Sequence, residues 1–472
     1  MSIPSATPET KTVAIVGGGI TGLVAAFRLV QRGLPVTVYE AGDRVGGVIQ
    51  STREHGYLAE CGPNSILDTS PKFRSLITDL GLESRRRYSD PGAENRYLVR
   101  GGRPVGLPAS PLKFFGTELF SLGAKLRLLR EPFIKRAPAD LEESVEQFVL
   151  RRLGREWLDY AINPMIAGVY AGDPARLSVT HGFPKLQALE QRYGSLILGQ
   201  IRGAKDRKAR GEVSKQDAKK VSFDEGLQVL TDALGTSLGA AIQRQAAVSC
   251  LEAVPAGGWR VTARTSHGET VREHSAVLLA APAYRLAEIE LQSASGLSLA
   301  PLREIHYPPV ASVVLGFRRE DVPHPLDGFG MLVPAVERFN ILGTLFSSSL
   351  FPNRAPQGHV LLTTYVGGVR APELALRPEP ELVALTVKDL RAILGVRGEP
   401  TYQHCVLYRQ AIPQYEVGYG RFKKLMDDVE AQAPGVFLAG HFRNGISLGD
   451  SIIAGHDVAE RIGDRLAGSA PS

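Results

Sequence analysis

Gly17-Gly18-Gly19-Ile20-Thr21-Gly22 is a GxGxxG run, and the acid Glu40 follows it at the end of an apolar stretch. Three glycines at this spacing can do three jobs. Gly17 makes a tight turn, Gly19 lets a pyrophosphate approach the backbone, and Gly22 lets a helix pack closely on a strand. A helix starting here would aim free N–H groups and a partial positive charge at the phosphates. Glu40 can accept hydrogen bonds from both hydroxyls of an adenosine ribose. It would repel a 2′-phosphate, and Ala41 supplies no compensating Arg. Asp43-Arg44-Val45-Gly46-Gly47 adds a second glycine pair. That pair lets backbone N–H groups crowd the cofactor along its length, which favours FAD over a nicotinamide dinucleotide.

These residues need a particular scaffold, and the flanking sequence supplies it. Val13-Ala14-Ile15-Val16 is a β-branched and apolar run, the pattern of a strand buried on both faces. Leu23, Ala26, Phe27, Leu29 and Val30 then recur at helical spacing until Gly33, and Pro35 to Glu40 reads as a second strand. Ala276-Val277-Leu278-Leu279 predicts a third buried strand, and Gly435 to Gly440 another that leads through His441 to Leu448 into a small-residue helix. In flavoproteins of this build, such a helix aims its N-terminus at the flavin pyrimidine, where negative charge develops on reduction. Val248, in the strand-like Ala246 to Cys250, is expected at the edge of the same sheet beside the adenine. One nucleotide domain is therefore assembled from three separated stretches. No second GxGxxG set occurs between a strand and a helix, so the substrate itself should reduce the flavin, with oxygen or another acceptor reoxidising it.

Composition narrows the class further. The chain has 472 residues, 43% hydrophobic and 22% charged, with 50 glycines. This is globular composition and excludes a fibrous or mainly disordered state. Cys61, Cys250 and Cys405 are far apart with no CxxC, against a disulfide scaffold or thiolate metal site and in favour of a reducing, cytosolic location. The ten His show no HExxH, so no metal is expected. His441 and His456 read as core or capping residues, and no protein general base stands out. A net charge of +6 chooses no partner by itself. Met1 to Lys11 reads as a loose tail rather than a signal peptide, and no run of ~18 uncharged apolar residues predicts a spanning helix.

Two middle stretches stand apart. Ser110 to Arg136 interleaves Leu112, Phe114, Phe115, Leu119, Phe120, Leu122, Leu126, Leu128, Leu129, Phe133 and Ile134 with Lys113, Lys125, Arg127, Arg130, Lys135 and Arg136. Apolar and basic faces at helical spacing predict an interfacial helix on anionic lipid. A helix packed on its own domain with a basic solvent face is the alternative. Lys205 to Lys220 is dense in charge and lacks aromatics, so it reads as a solvated linker and not a nucleic-acid surface.

The fingerprint, Gly46-Gly47-Val48-Ile49, Glu60-Cys61-Gly62-Pro63-Asn64-Ser65, Glu94-Asn95-Arg96-Tyr97, Ala167 to Asp173 (AGVYAGD), Gly328 to Pro334 (GFGMLVP) and Ile412-Pro413-Gln414-Tyr415 fall in one order. From about Lys11 to about Ile462 the chain resembles the oxygen-dependent protoporphyrinogen oxidases, within the amine oxidase and phytoene desaturase superfamily. The resemblance implies an α/β fold with a discontinuous Rossmann-like FAD domain (1–90, 215–290 and 425–472). It adds a helical membrane-associating insert (91–214) and a substrate domain with a mixed sheet (291–424). It implies non-covalent FAD held by Gly17, Gly18, Gly19, Ile20, Thr21, Gly22, Glu40, Ala41, Arg44, Gly47, Val48, Ile49, Gly62, Pro63, Asn64, Ser65, Val248, Ile446, Ser447 and Leu448. Arg96, Gly168, Phe329 and Leu332 would surround a porphyrinogen. The implied reaction removes six electrons and six protons from protoporphyrinogen IX in three flavin reductions, each reoxidised by O2 with release of hydrogen peroxide. The implied setting is cytoplasmic, peripheral to the inner membrane face, with a homodimer and hand-over to ferrochelatase as partners of this family. Asn64 stands where eukaryotic relatives can carry Arg, and Gly420 where some carry an aromatic. On the residues themselves, Arg96 suits a propionate because its fork matches a carboxylate, and Phe329, Met331, Leu332 and Val333 suit an apolar ring wall. Coproporphyrinogen oxidation, an amine oxidase and a non-catalytic porphyrin-binding protein are the alternative readings.

Overall fold

The computed structural model describes residues 11–108, 111–138, 140–209, 218–294 and 296–468. Val13–Val16 is buried along its whole length and pairs in parallel with Val36–Tyr39 on one side and Ala276–Leu279 on the other. Val436–Leu438 extends the sheet beyond Ala276–Leu279, and Ile242–Gln243 closes the opposite edge, giving five parallel strands. The apolar runs expected to be strands are strands because helices and a second sheet cover both faces, leaving no face for water.

Two helices decide where the carboxyl edge of this sheet points. Ile20–Gln31 and Leu448–Leu466 pack side by side and parallel. Near their starts, Thr21 Oγ1 donates to Ser451 O at 3.1 Å, and at their far ends Arg32 pairs with Asp464 at 2.6 Å. Gly455 allows the approach, since a Cβ there would lie 2.7 Å from Thr21 O. Both N-termini therefore open at the same end, although 427 residues of sequence lie between their first residues, Ile20 and Leu448.

Val248 is in a strand as expected, but in a different sheet. Ala247–Ala253 belongs to a four-stranded sheet with Trp259–Thr265, Gly268–His274 and Glu290–Gln292. The edge of the nucleotide sheet is the short Ile242–Gln243 instead. The chain turns between them while Glu40 N–H bonds Gln243 O and Ala246 N–H bonds Glu40 O. A two-residue edge strand lacks the length to leave a period in the sequence, which is why the longer neighbour attracted the assignment.

The third sheet has seven strands in the order Tyr402–Tyr408, Val310–Arg318, His359–Gly367, Ile341–Leu345, Gly328–Leu332, Asn95–Arg100 and Arg103–Gly106. It is mixed, because Gly328–Leu332 runs parallel to Asn95–Arg100 and antiparallel to Ile341–Leu345. The hairpin 95–106 lies in the stretch expected to be helical (91–214); it is instead the outer edge of this sheet. One face packs under Glu379–Leu394 through Leu382, Leu390 and Leu394 against Val313, Leu315 and Leu362.

The remaining segment, 111–209, is mainly helical. Its centre holds a buried charge network. Arg152, with no solvent exposure, bonds Glu131 at 2.9 Å and Glu190 at 2.7 Å, and Arg151 joins Glu190 to Glu143. The stretch 110–136 is not one amphipathic helix. Its described part consists of Pro111–Gly116, Leu122–Arg130 and the 3-10 turn Glu131–Phe133, with Ser121 capping the second helix. Lys125, expected on a basic face, is buried and donates to the carbonyls of Phe115 and Thr117. The helix Leu196–Ala209 runs into the stretch expected to be linker; 210–217 lie outside the described residues, as do residues 1–10 of the N-terminal tail. No helix among the described residues is long and apolar enough to cross a membrane.

Candidate active site

The GxGxxG turn is built as its residues require. Gly17 has φ +108°, and a Cβ on it would sit 2.8 Å from Ala281 N. A Cβ on Gly22 would lie 2.1 Å from Gly17 O, so strand and helix meet there with no room for a side chain. Gly19, capping Ile20–Gln31, has open space where its side chain would be. The first turn of that helix carries no acid, and its leading N–H groups lack intrahelical acceptors. Glu40 stands beside it, Oε2 accepting from Gly18 N–H at 2.8 Å and Oε1 from Gly42 N–H at 2.7 Å. A carboxylate has further lone pairs, so both ribose hydroxyls can still be received.

The second glycine pair closes over this turn. Gly46 N–H bonds Gly18 O at 2.8 Å, and Gly47 lies against Gly19. Arg44 braces the loop, donating to the carbonyls of Val45, Gly47 and Ile49. Its guanidinium is thus largely committed to the backbone. Val48 is half exposed and Ile49 buried, and a Cβ on Gly62 would fall 2.2 Å from Val48 O. Asn64 Nδ2 donates to Tyr365 Oη at 2.6 Å, which ties the stretch Gly62 to Ser65 to the seven-stranded sheet. Val248 is partly buried against the core between the nucleotide sheet and the four-stranded sheet.

Across from the glycine turn, Ser447 caps Leu448–Leu466 by accepting from Asp450 N–H. Ile446 and Gly445 lead into this cap, and Gly445 N–H bonds Tyr415 Oη at 3.0 Å. Tyr415 in turn donates to His441 O at 2.5 Å, and Tyr419 to Phe442 O at 2.5 Å. Burial raises both phenols well above the usual tyrosine range, so they stay protonated donors. His441 Nε2 is buried with no partner, and burial lowers its imidazole to about 4, so the ring is neutral.

The cradle fits FAD on its own geometry. It has an open glycine at a helix N-terminus, an acid at the ribose position, and a second N-terminus held parallel to the first. Ala41, Pro63 and Ile20 lie within these same turns but make no side-chain contact that singles them out.

Of the residues expected to surround a substrate, Arg96, Phe329 and Leu332 fall on the face of the seven-stranded sheet opposite its covering helix, in two groups. Leu332 meets Gly168 of the helix Asn163–Tyr170, where a Cβ would come within 2.3 Å of Leu332 Cδ2. Leu98 pairs with Leu332 and packs with Phe120 and Ala124. Arg96 is exposed and pairs with Gly330, two residues along the same strand from Leu98. Phe329 forms the second group with Ala93, Leu350 and Phe351. A bulge between Gly328 and Gly330, with Gly330 at φ +148°, turns Phe329 out of step with Met331 and onto the face that carries Leu332. Met331 and Val333, expected on the same wall, are instead in the core under Glu379–Leu394.

Lys220 and Tyr365 stand at this site without having been singled out from the sequence. Tyr365 lies in an apolar strand whose register was not legible. Lys220 was absorbed into the charged linker, although the alternation at its strand, Lys220–Phe223, was a signal for it. Among the described residues no His, Cys, Asp and Glu group is arranged to hold a metal.

Comparison with known proteins agrees with this geometry. The family model described as flavin containing amine oxidoreductase matches residues 20–463. The chain is 38% identical to protoporphyrinogen oxidase 2, chloroplastic/mitochondrial, of Arabidopsis thaliana, over 96% of this chain and 94% of that one. It is 29% identical to coproporphyrinogen III oxidase of Bacillus subtilis, over 94% and 96%. A crystal structure described as a candidate protoporphyrinogen oxidase from Exiguobacterium sp. 255-15 superposes with a TM-score of 0.80 at 24% identity, over 97% of this chain and 99% of that one.

Proposed function

We propose, from the premise that this chain belongs to the flavin-containing amine oxidoreductases and within them to the protoporphyrinogen oxidases, that it oxidises protoporphyrinogen IX to protoporphyrin IX with O2 as acceptor. The observation that carries this reading is the parallel pairing of the helices at Ile20 and Leu448. It sets a dinucleotide cradle and an anion-stabilising N-terminus side by side, below the sheet that bears Arg96, Leu332 and Phe329.

FAD, when bound, accepts a hydride equivalent from the substrate and passes electrons to O2. The protein binds, orients and shields. Gly19 and the leading N–H groups of Ile20–Gln31 hold the pyrophosphate, and Glu40 the ribose. The helix N-terminus capped by Ser447 would offer partial positive charge to a bound isoalloxazine. Leu98 and Leu332 exclude water from one side of the ring, and Gly168 leaves the backbone close to it. Arg96 receives a propionate. Burial keeps His441 neutral, and the protonated Tyr415 and Tyr419 donate to the backbone carbonyls of His441 and Phe442. Imine–enamine tautomerism can hand the pyrrole N–H protons to water. Each turn removes two electrons and two protons, and three turns complete the product with three O2 converted to hydrogen peroxide.

The domain division 1–90, 215–290 and 425–472 (FAD), 91–214 (insert) and 291–424 (substrate) is part of this proposal, with 95–106 joined to the substrate sheet. Peripheral membrane docking is supported by the exposed Leu122, Leu126, Leu129 and Phe133 on the segment 122–133. Sedimentation with anionic vesicles tests it, and protein left wholly in the supernatant rejects it. Homodimerisation and hand-over to ferrochelatase follow from the family alone. The function itself is tested by titrating the flavin-loaded protein anaerobically with protoporphyrinogen. Bleaching of the flavin band, and about three O2 consumed per porphyrin in air, are expected; no fluorescence gain above autoxidation rejects the reading. Initial rates on coproporphyrinogen, the substrate named for the Bacillus subtilis relative, decide between the two tetrapyrroles.

A further inference from the structure

We propose that Lys220 is a second carboxylate anchor. With Arg96 it grips both propionates on one edge of the porphyrinogen, Lys220 resting on the Phe329 ring. This inference rests on the reading above for its substrate.

Lys220 opens the strand Lys220–Phe223, which pairs with Ile66–Leu67 just beyond the Gly62 to Ser65 stretch. Val221 is fully buried in the nucleotide-side core, so the alternation of the strand sends Lys220 the other way, towards the substrate sheet. Its Nζ lies 5.1 Å from the centre of the Phe329 ring. Gly330, next to Phe329, is paired with Arg96 on the neighbouring strand. The Lys220 ammonium thus rests on the Phe329 ring, and Arg96, on the strand paired with Gly330, is near enough for its charge to act on Lys220.

Neither cation is bonded or ion-paired to an acid among the described residues. Burial of Lys220 and the charge of Arg96 both disfavour its ammonium, and the single acid whose charge reaches it is Glu94. Two like charges side by side, one half-buried and leaning on an aromatic face, are destabilising unless an anion joins them. A dianion relieves both. The substrate edge supplies one: two flexible carboxylates on the same side of an apolar ring. Its remaining surface would meet Leu98 and Leu332, where carboxylates would be buried without partners. The arrangement therefore favours a dicarboxylate over a tetracarboxylate.

The test measures porphyrin formation by the flavin-loaded enzyme on protoporphyrinogen as the free diacid, the monomethyl esters and the dimethyl ester. In the unaltered protein each carboxylate masked is expected to raise KM by ~10-fold, with kcat changed little. Lys220→Met should raise KM for the diacid by about the same factor and leave the dimethyl ester unaffected, and Lys220→Arg should restore the preference. A Lys220→Met enzyme with an unaltered diacid-to-ester KM ratio overturns the assignment. Monoesters as good as the diacid on the unaltered protein overturn it without any variant, so a misfolded Lys220→Met leaves the question decidable. If the unaltered protein forms no porphyrin from any of these, the proposed function itself has failed, a different outcome from loss of the second anchor alone.

Discussion

Leu332 and Gly168 are in such close register that a Cβ on the glycine would come within 2.3 Å of Leu332 Cδ2. The contact joins the substrate sheet to the helix Asn163–Tyr170, and it sets the width of the slot between them. Gly168→Ala should therefore push Leu332 into the slot and lower kcat/KM by ~10-fold while flavin stays bound, since small-to-large changes in a packed seam cost about 1–3 kcal/mol. Gly168→Ala combined with Leu332→Val should recover part of the loss. Additive effects in the double variant would show that the two residues do not act through one contact.

Glu40 holds the nucleotide turn through Gly18 and Gly42, and the proposed function gives it the adenosine ribose. Glu40→Gln keeps the shape but removes the charge and one acceptor. Flavin affinity should fall by ~10- to 100-fold, the range expected for hydrogen bonds to a charged group worth about 1.5–3 kcal/mol. Flavin fluorescence during titration of the stripped protein reads this directly, and unchanged affinity would remove Glu40 from the ribose site.

Acid stability should depend on buried imidazoles. Burial lowers His274, His441 and His456 each to about 4. His456 Nε2 accepts from Arg28 Nε at 2.9 Å, a role only the neutral ring can fill. The unfolded chain takes up these protons near its ordinary value of about 6.5, the folded chain only near 4. Stability is thus full above about pH 6.5 and falls as the pH drops towards 4. Melting temperature measured across this window should decline, and His456→Gln, whose amide oxygen can accept from Arg28, should flatten the decline. A slope identical to that of the unaltered protein would assign the loss to other groups.

The buried pair of Arg152 with Glu131 and Glu190 makes the helical segment sensitive to one side chain. Arg152→Met would leave Glu131 buried without a cation and Glu190 with Arg151 alone, and the expected destabilisation is ~3–5 kcal/mol. Denaturant unfolding followed by tryptophan fluorescence suits the measurement, because Trp157 packs on Phe114 and Phe120 in this segment. A loss under about 1 kcal/mol would mean that water reaches the network.

The nucleotide cradle was legible because its constraints are local. A turn at φ +108° demands Gly17, a helix packed on a strand demands Gly22, and a doubly covered strand demands the apolar run Val13–Val16. The edge strand Ile242–Gln243 was not legible, since two residues carry no period. The hairpin 95–106 escaped because its partner strand, Gly328–Leu332, lies far along the chain and supplies the hydrogen bonds that make it a strand. Likewise Lys125 reads as a surface cation at helical spacing, and only the carbonyls of Phe115 and Thr117 make its burial tolerable.

By itself the order of residues determined that this protein cradles a dinucleotide, and which short motifs belong to its family, because these rest on backbone conformation within a few residues. The tertiary structure decided which way Phe329 turns, where Met331 and Val333 are buried, and that the Lys220 ammonium rests on the Phe329 ring. Those outcomes depend on sheet register, on one bulge and on two segments that approach only when separate cores have closed, and no local pattern in a chain encodes the distance between them.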